Sequence, residues 1–331
     1  ADVGNPIADM HWRTFVRWCR ERNLNPLGGD RATPLNFLGD KVRELEAKGM
    51  QATSALPYKT TINNVWKVWQ LPDLSAERVT TTLVRTIRAR TPKDARYKRV
   101  FFAGDILDAC FALGNIKEIS FAEAHMKMAA LLAICGACRK DDIAQVKVKD
   151  IVFAPSGNVF LPYEGKTKGS KGVTQIILPH VKKLKDESPA TILKHFLQRP
   201  DWEAESERPG LILVQDTTST RRAHKDTIGR YLRKVYERSE ACSKAPDDFV
   251  FGPHAFKHSA VSSFKACGMS RDHMERYCRT SKATLDKWYD HSDRLFTVGR
   301  TSSYARMVLQ RIVNIFTDLN PLRRTRKRTG Q

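Results

Sequence analysis

Pro253-His-Ala-Phe-Lys-His-Ser-Ala-Val-Ser-Ser-Phe-Lys-Ala-Cys-Gly-Met-Ser270 is the stretch whose reading decides the fold, and Tyr277-Cys-Arg-Thr-Ser-Lys-Ala-Thr-Leu-Asp-Lys-Trp-Tyr-Asp-His291 follows it closely. Proline suits the first turn of a helix, so Pro253 opens a predicted helix that runs through about Ala266. Further helices are expected over Arg271 to Arg279, Ala283 to Asp290 and Ser302 to Phe316. Tyr289 lies ten positions after Arg279. Beside Trp288 it reads either as a core aromatic or as a nucleophile; Tyr304 is the nearest rival for the second role. His254 and His258 stand one helical turn apart, as a metal pair would, but no third ligand follows at a sensible spacing.

Outward from this stretch, the chain has 331 residues, enough for two domains that each bury a core. Lys and Arg number 57 against 36 Asp and Glu, a formal net charge of +21, which calls for a polyanionic partner. Nucleic acid is the first candidate. An acidic membrane surface competes, but there is no long apolar run and no basic amphipathic stretch with a wide apolar face. Seven cysteines, an odd number scattered along the chain without a secretory signal ahead of them, imply an intracellular, reducing compartment. Cys135-Gly-Ala-Cys138 invites a metal or redox reading, yet it lies in an apolar helical run with no second pair at zinc spacing, so core packing is expected.

Toward the N-terminus, residues 1–90 read as a small helical bundle. Phe15, Trp18 and Cys19 fall at helical spacing, as do Phe37, Val42 and Leu45 in a segment opened by Pro34. Trp66 and Trp69, with Ile62 and Val65, mark a further amphipathic helix whose stripe is expected to be core. Residues 91–99 are polar, basic and broken by Pro92, which marks a linker: either a plain solvated connector or a basic strap against DNA. Residues 100–318 form the second domain. Phe121 to Cys138 is a predicted apolar helix; Asn158 to Tyr163 and Val173 to Leu178 are predicted strands joined by a glycine- and lysine-rich hairpin tip. Helices resume near Pro189 and over Thr227 to Ser239. The basic tail, 319–331, is a phosphate-binding arm or a nuclear address.

Cutting a DNA strand without a metal needs a nucleophile, cations on the non-bridging phosphate oxygens and an acid for the leaving 5′ oxygen. Arg139, after the apolar helix in Gly136-Ala-Cys-Arg-Lys-Asp-Asp-Ile-Ala-Gln-Val146, carries a guanidinium able to make two parallel bonds to a phosphate. Asp142, three residues on, is placed to hold it.

From this point the chain resembles the tyrosine recombinase, or phage integrase, family. Arg139, Asp142 and Ile143 fit the family pattern Gly-x-Arg-x-x-Glu/Asp-hydrophobic, with Gly136 one residue off. Gly165-Lys-Thr-Lys-Gly169 is similar to the family's lysine hairpin, which implies that Lys166 or Lys168 is the general acid. Pro253 to Ser270 looks like its His-x-x-Arg helix: His254 takes the histidine position and Lys257 falls where the second arginine stands. The spacing from Arg279 to Tyr289 resembles DIRS-type and Crypton-type elements of eukaryotes, with Arg279 where His or Trp is usual. By motif the resemblance covers about 120 to 300.

It implies a mainly α fold with a small β-sheet, in which a helical core-binding domain and an α+β catalytic domain clamp double-stranded DNA. Tyr289 would form a 3′-phosphotyrosine link while Arg139, His254, Lys257 and Arg279 neutralise charge, with no metal or nucleotide cofactor. Four protomers would assemble on two DNA sites, with Ser302 to Phe316 as a helix passed to a neighbour. The implied location is the nucleus in a eukaryote and the cytoplasm otherwise. An ammonium in place of an arginine fork cannot make the same two-pronged grip, so the competing reading is a DNA-binding descendant of the fold with impaired catalysis. A related topoisomerase or hairpin-forming resolvase shares the chemistry.

Overall fold

The computed structural model describes residues 6–90, 99–163, 174–199, 210–215, 220–278, 284–285, 295–296 and 302–318. The chain divides into two compact units, 1–94 and 95–331.

The first unit is all helical: α1 (Pro6–Arg20), α2 (Ala32–Ala47), α3 (Leu56–Val68) and α4 (Arg78–Arg90). Its core is aromatic. Phe15 and Phe37 meet edge to face at 5.2 Å, and Phe37 meets Tyr58 in the same way at 5.8 Å. The indole N–H groups find acceptors, Trp18 at Asp40 Oδ2 (2.9 Å) and Trp66 at the Pro26 carbonyl (3.0 Å). The tryptophan stripe expected on α3 splits: Trp66 is buried, whereas Trp69 is 63% exposed, because α3 stops at Val68 and the chain turns before Trp69 can face inward.

The second unit is built around α6 (Phe121–Cys135), which is buried without interruption from Ala124 to Cys135. Ser120 caps it: its Oγ accepts the Glu123 backbone N–H at 3.3 Å and donates to the Glu123 carboxylate at 3.0 Å. Around α6 pack α5 (Ala103–Ala112), α8 (Pro189–Leu197), α9 (Lys225–Glu237) and α11 (Ala255–Ala266). The short α7 (Lys140–Ile143), α10 (Glu240–Ser243) and α12 (Arg271–Cys278) complete the helical part before the last helix.

The β-structure is small. β1 (Val100–Phe101) pairs in parallel with β7 (Leu295–Phe296). β2 (Val152–Phe153), β3 (Val159–Tyr163) and β4 (Thr174–Leu178) form an antiparallel sheet in which Val159 faces Leu178 and Tyr163 faces Thr174. β5 (Leu213–Gln215) and β6 (Thr220–Arg222) form a separate antiparallel pair. The expected strands are therefore present, while the hairpin tip with Lys166 and Lys168 lies outside the described residues.

The end of one predicted helix is corrected. The apolar helix ends at Cys135, not Cys138, because Ala137 takes a left-handed backbone (φ 44°) that no α-helix continues. The last helix, α13 (Ser303–Asp318), packs on α5, with Val308, Leu309 and Ile312 each at most 1% exposed. Ser302 fastens its start, the backbone N–H donating to Asp108 at 3.2 Å and the hydroxyl to the same carboxylate.

Candidate active site

The turn between α6 and α7 delivers Arg139. Gly136 occupies a place where a Cβ would sit 2.8 Å from both Ile176 Cγ2 and the Leu132 carbonyl oxygen, so only glycine fits. The next residue, Ala137, carries the positive φ, and Arg139 leaves the turn extended at φ −88° and ψ 158°. The left-handed residue thus stands two before the arginine, where the family pattern has glycine. Gly136 is one residue off because a different constraint, close packing on β4, holds it there.

Arg139 is the N-cap of α7. Its backbone N–H donates to Asp142 Oδ2 at 2.9 Å, and Asp142 is only 6% exposed. Asp142 therefore holds the arginine through its backbone, fixing the point from which the guanidinium departs. The flanks of α7 reach α9: Lys140 Nζ donates to Asp226 Oδ1 at 2.6 Å, and Lys225 pairs with Asp141 at 3.8 Å. The hydrogen bond from Lys140 holds the Asp226 carboxyl below its usual range.

The His254 helix arrives beside this turn. A Cβ on Gly229 of α9 would lie 3.2 Å from Pro253 Cγ and 3.4 Å from Lys140 Cδ, so the bare glycine leaves room for both. His254 is the N-cap residue of α11, half-buried, its ring perpendicular to that of His258 at 5.0 Å. The first ten residues of α11 are all buried, Lys257, His258, Ser259, Ser262 and Ser263 among them. Ser263 accepts the Ala103 backbone N–H at 2.8 Å, which satisfies one of these buried polar groups.

Lys257 is 5% exposed, and its Nζ donates to the Cys278 carbonyl at 3.2 Å. Burial holds this ammonium below its ordinary pKa; the Arg139 guanidinium pushes the same way, against Cys278 and Asp142. Arg139 and Lys257, 118 positions apart in sequence (257 − 139), are thereby within electrostatic reach of one another. The fold brings three of the sequence-derived residues, Arg139, His254 and Lys257, to one region of the second unit. Tyr289 and Arg279, like Lys166 and Lys168, lie outside the described residues.

Other candidates resolve into core. Tyr304 is 5% exposed against Phe111, and burial raises its phenol well above the usual pKa. Cys135 and Cys138 are buried, the Cys138 thiol donating to the Leu132 carbonyl at 3.1 Å, and burial raises the Cys135 thiol. Among the described residues no group of three or more His, Cys, Asp or Glu side chains is placed to hold a metal, and no helix is long and apolar enough to cross a membrane. Asp226, Gly229 and Lys140 escaped sequence reading. Their only signal is spatial, since Lys140 and Asp226 are 86 positions apart.

An inner helix led by a histidine, set against an arginine turn and a small antiparallel sheet, defines the tyrosine recombinase fold, and solved structures of that class align with this chain. The integrase of the Tn1549 transposon, in complex with transposon right end DNA, matches with a TM-score of 0.53 at 11% identity, over 87% of this chain and 90% of that one. A lambda integrase dimer bound to a COC′ core site matches with a TM-score of 0.51 at 14% identity, over 88% and 74%. The XerH recombinase in its post-cleavage complex aligns at a TM-score of 0.44 and 13% identity over 60% of this chain and 51% of that one, so the alignment spans about half its length. No family model matches the chain, and no curated protein does. At such identities the likeness is one of fold.

Proposed function

We propose that this protein is a site-specific DNA strand transferase of the tyrosine recombinase kind, acting as an integrase or transposase of a mobile element related to the DIRS and Crypton types. The observation that carries the reading is the meeting of the Arg139 turn with the His254–Lys257 helix, two segments far apart in sequence whose side chains the chemistry needs around one phosphate. The fold shared with the Tn1549 and lambda integrases supports it.

Tyr289 attacks a backbone phosphate, its oxygen forming the bond to phosphorus as the bond to the 5′ oxygen breaks; the products are a 3′-phosphotyrosine and a free 5′ hydroxyl. Arg139 and His254 face the charge that builds on the non-bridging oxygens. Lys257 and Arg279 supply the remaining cations, and Lys166 or Lys168 protonates the leaving oxygen. Rejoining reverses these steps, the phosphotyrosine conserving the bond energy, so no cofactor is required. Partners are double-stranded DNA and further copies of the chain, four on two DNA sites. The compartment is intracellular and reducing: the nucleus of a eukaryote, or otherwise the cytoplasm.

The test is a suicide substrate carrying the DNA that flanks the gene's own locus. A covalent protein–DNA adduct that disappears in Tyr289→Phe is expected. Tight binding without any adduct overturns the enzyme and establishes the second reading, a DNA-binding descendant that has lost turnover, which the buried and hydrogen-bonded state of Lys257 favours.

A further inference from the structure

Beside the Arg139 turn the second unit holds a cleft of about 430 Å³ to which the strand-transfer chemistry assigns nothing. Asp141 and Gln145 line one wall, from α7 and the residues just after it; Arg222, His224 and Lys225, where β6 runs into α9, line the other. Backbone bonds tie the walls in place, the Leu211 N–H donating to the Val146 carbonyl at 3.3 Å and the Ala223 N–H to the Ile212 carbonyl at 2.8 Å. Arg222 is set in advance: its guanidinium donates to the Ala144 carbonyl, and its stem runs where a Cβ on Gly210 would come within 2.9 Å of Cγ. One bond to a carbonyl leaves a guanidinium further N–H donors for a ligand.

The lining is rich in donors and net positive. Arg222 and Lys225 outnumber its one carboxylate, Asp141, which Lys225 meets at 3.8 Å; the nearby Asp226 is held by Lys140 at 2.6 Å. His224, the N-cap of α9, accepts the Asp226 backbone N–H on Nδ1 at 3.4 Å, so its ring proton stands on Nε2 as a donor. Gln145 is half-buried, and among the described residues its side-chain amide makes no hydrogen bond. Amide, imidazole and cationic donors around a concavity match the convex, anionic sugar–phosphate ridge of DNA. Arg139 stands at the start of α7, whose four residues rise about 6 Å, while a DNA strand advances about 3.4 Å per phosphate, so the cleft is about two nucleotides away.

We propose that this cleft is a second phosphate subsite. It seats the DNA backbone beside the cleaved position, Gln145 and His224 donating to phosphate oxygens while Arg222 and Lys225 neutralise their charge. The proposal rests on the DNA strand-transfer reading above and adds a contact that sets the register of the duplex against Arg139. Phosphate contacts position a duplex and carry no sequence information, so the subsite should act alike on every sequence.

The experiment measures binding of wild type, Gln145→Ala and Lys225→Gln to two duplexes, the DNA flanking the gene's own locus and a scrambled sequence of equal length, over a salt series. Gln145→Ala removes a donor and no charge; it should weaken binding to both duplexes roughly fivefold, the scale of one hydrogen bond. Lys225→Gln should lower the slope of log K against log salt by about 0.9, the value of one phosphate contact. Wild-type affinity in Gln145→Ala overturns the proposal. A loss confined to the flanking sequence also does, since it makes Gln145 a reader of base edges. So does normal affinity with failed assembly on the DNA, which gives the cleft to a second copy of the chain. A Gln145→Ala protein that unfolds assigns the side chain to cohesion and overturns it as well. A wild-type protein that binds both duplexes but forms no adduct on the suicide substrate defeats strand transfer alone, because the comparison reads binding and not cleavage.

Discussion

The buried carboxylate of Asp142 accepts the backbone N–H of Arg139 at 2.9 Å. Because it grips the main chain, the starting point of the Arg139 side chain is set before any DNA arrives. Asp142→Ala removes that acceptor and leaves a cavity; a loss of about 1 kcal/mol is expected from the cap alone. Asp142→Asn keeps an acceptor oxygen and should recover most of the stability. Urea unfolding of both variants checks this, and an Asp142→Ala protein as stable as wild type would refute it.

Gly136 and Ala137 are adjacent and make opposite demands. Ala137 pays for its left-handed backbone, so Ala137→Gly should stabilise the protein by about 1 kcal/mol. Gly136→Ala drives a Cβ to 2.8 Å from Ile176 Cγ2 and the Leu132 carbonyl and should destabilise by about 1–3 kcal/mol. Thermal unfolding of the pair reads both signs at once; shifts in the same direction would contradict the assignment of the turn.

Among the described residues the Tyr304 hydroxyl has no hydrogen-bond partner, although it is buried. Tyr304→Phe deletes an unsatisfied polar atom without changing the ring, so stability should hold or rise by up to about 1–2 kcal/mol. Adduct yield should match wild type. Loss of the adduct in this variant would return Tyr304 to contention as the nucleophile.

Lys257 makes stability depend on pH in a definite direction. Its folded pKa lies below the ordinary 10.5, chiefly through burial and secondly through Arg139. Between the lowered value and 10.5 the unfolded chain holds more protons at this residue than the folded one, so stability rises with pH across that window. The contribution is complete above the unfolded value and is lost as pH falls through the folded one. Urea midpoints of wild type relative to Lys257→Met should therefore climb from neutral toward alkaline pH. A constant difference would show that the ammonium is not desolvated in the folded state.

Much of the organisation is written in the sequence because it rests on local rules. Helical periodicity marks Phe15 with Cys19 and Phe37 with Val42 as inner faces, and each is buried in the first unit. Alternation and β-branching locate the strands over Val159–Tyr163 and Thr174–Leu178. The order Arg139, then His254 and Lys257, is legible because a motif is a statement about neighbours along the chain.

What only the tertiary structure decides concerns groups that no spacing connects. Gly136 reads in sequence as a displaced turn glycine, whereas the fold gives it a packing role against Ile176 and moves the turn's strain to Ala137. The same local text that makes Trp66 core predicts Trp69 as core, but a helix that stops at Val68 leaves it in solvent. Sequence supplied Lys257 as a lysine where an arginine was expected, and nothing nearby along the chain says where its ammonium goes. The answer is the carbonyl of Cys278, 21 residues on and on another helix, a bond that exists only because α11 and α12 pack together. Periodicity and propensity act over one or two turns of backbone; burial, electrostatic reach and the satisfaction of a helix end are set by whatever the rest of the chain brings alongside.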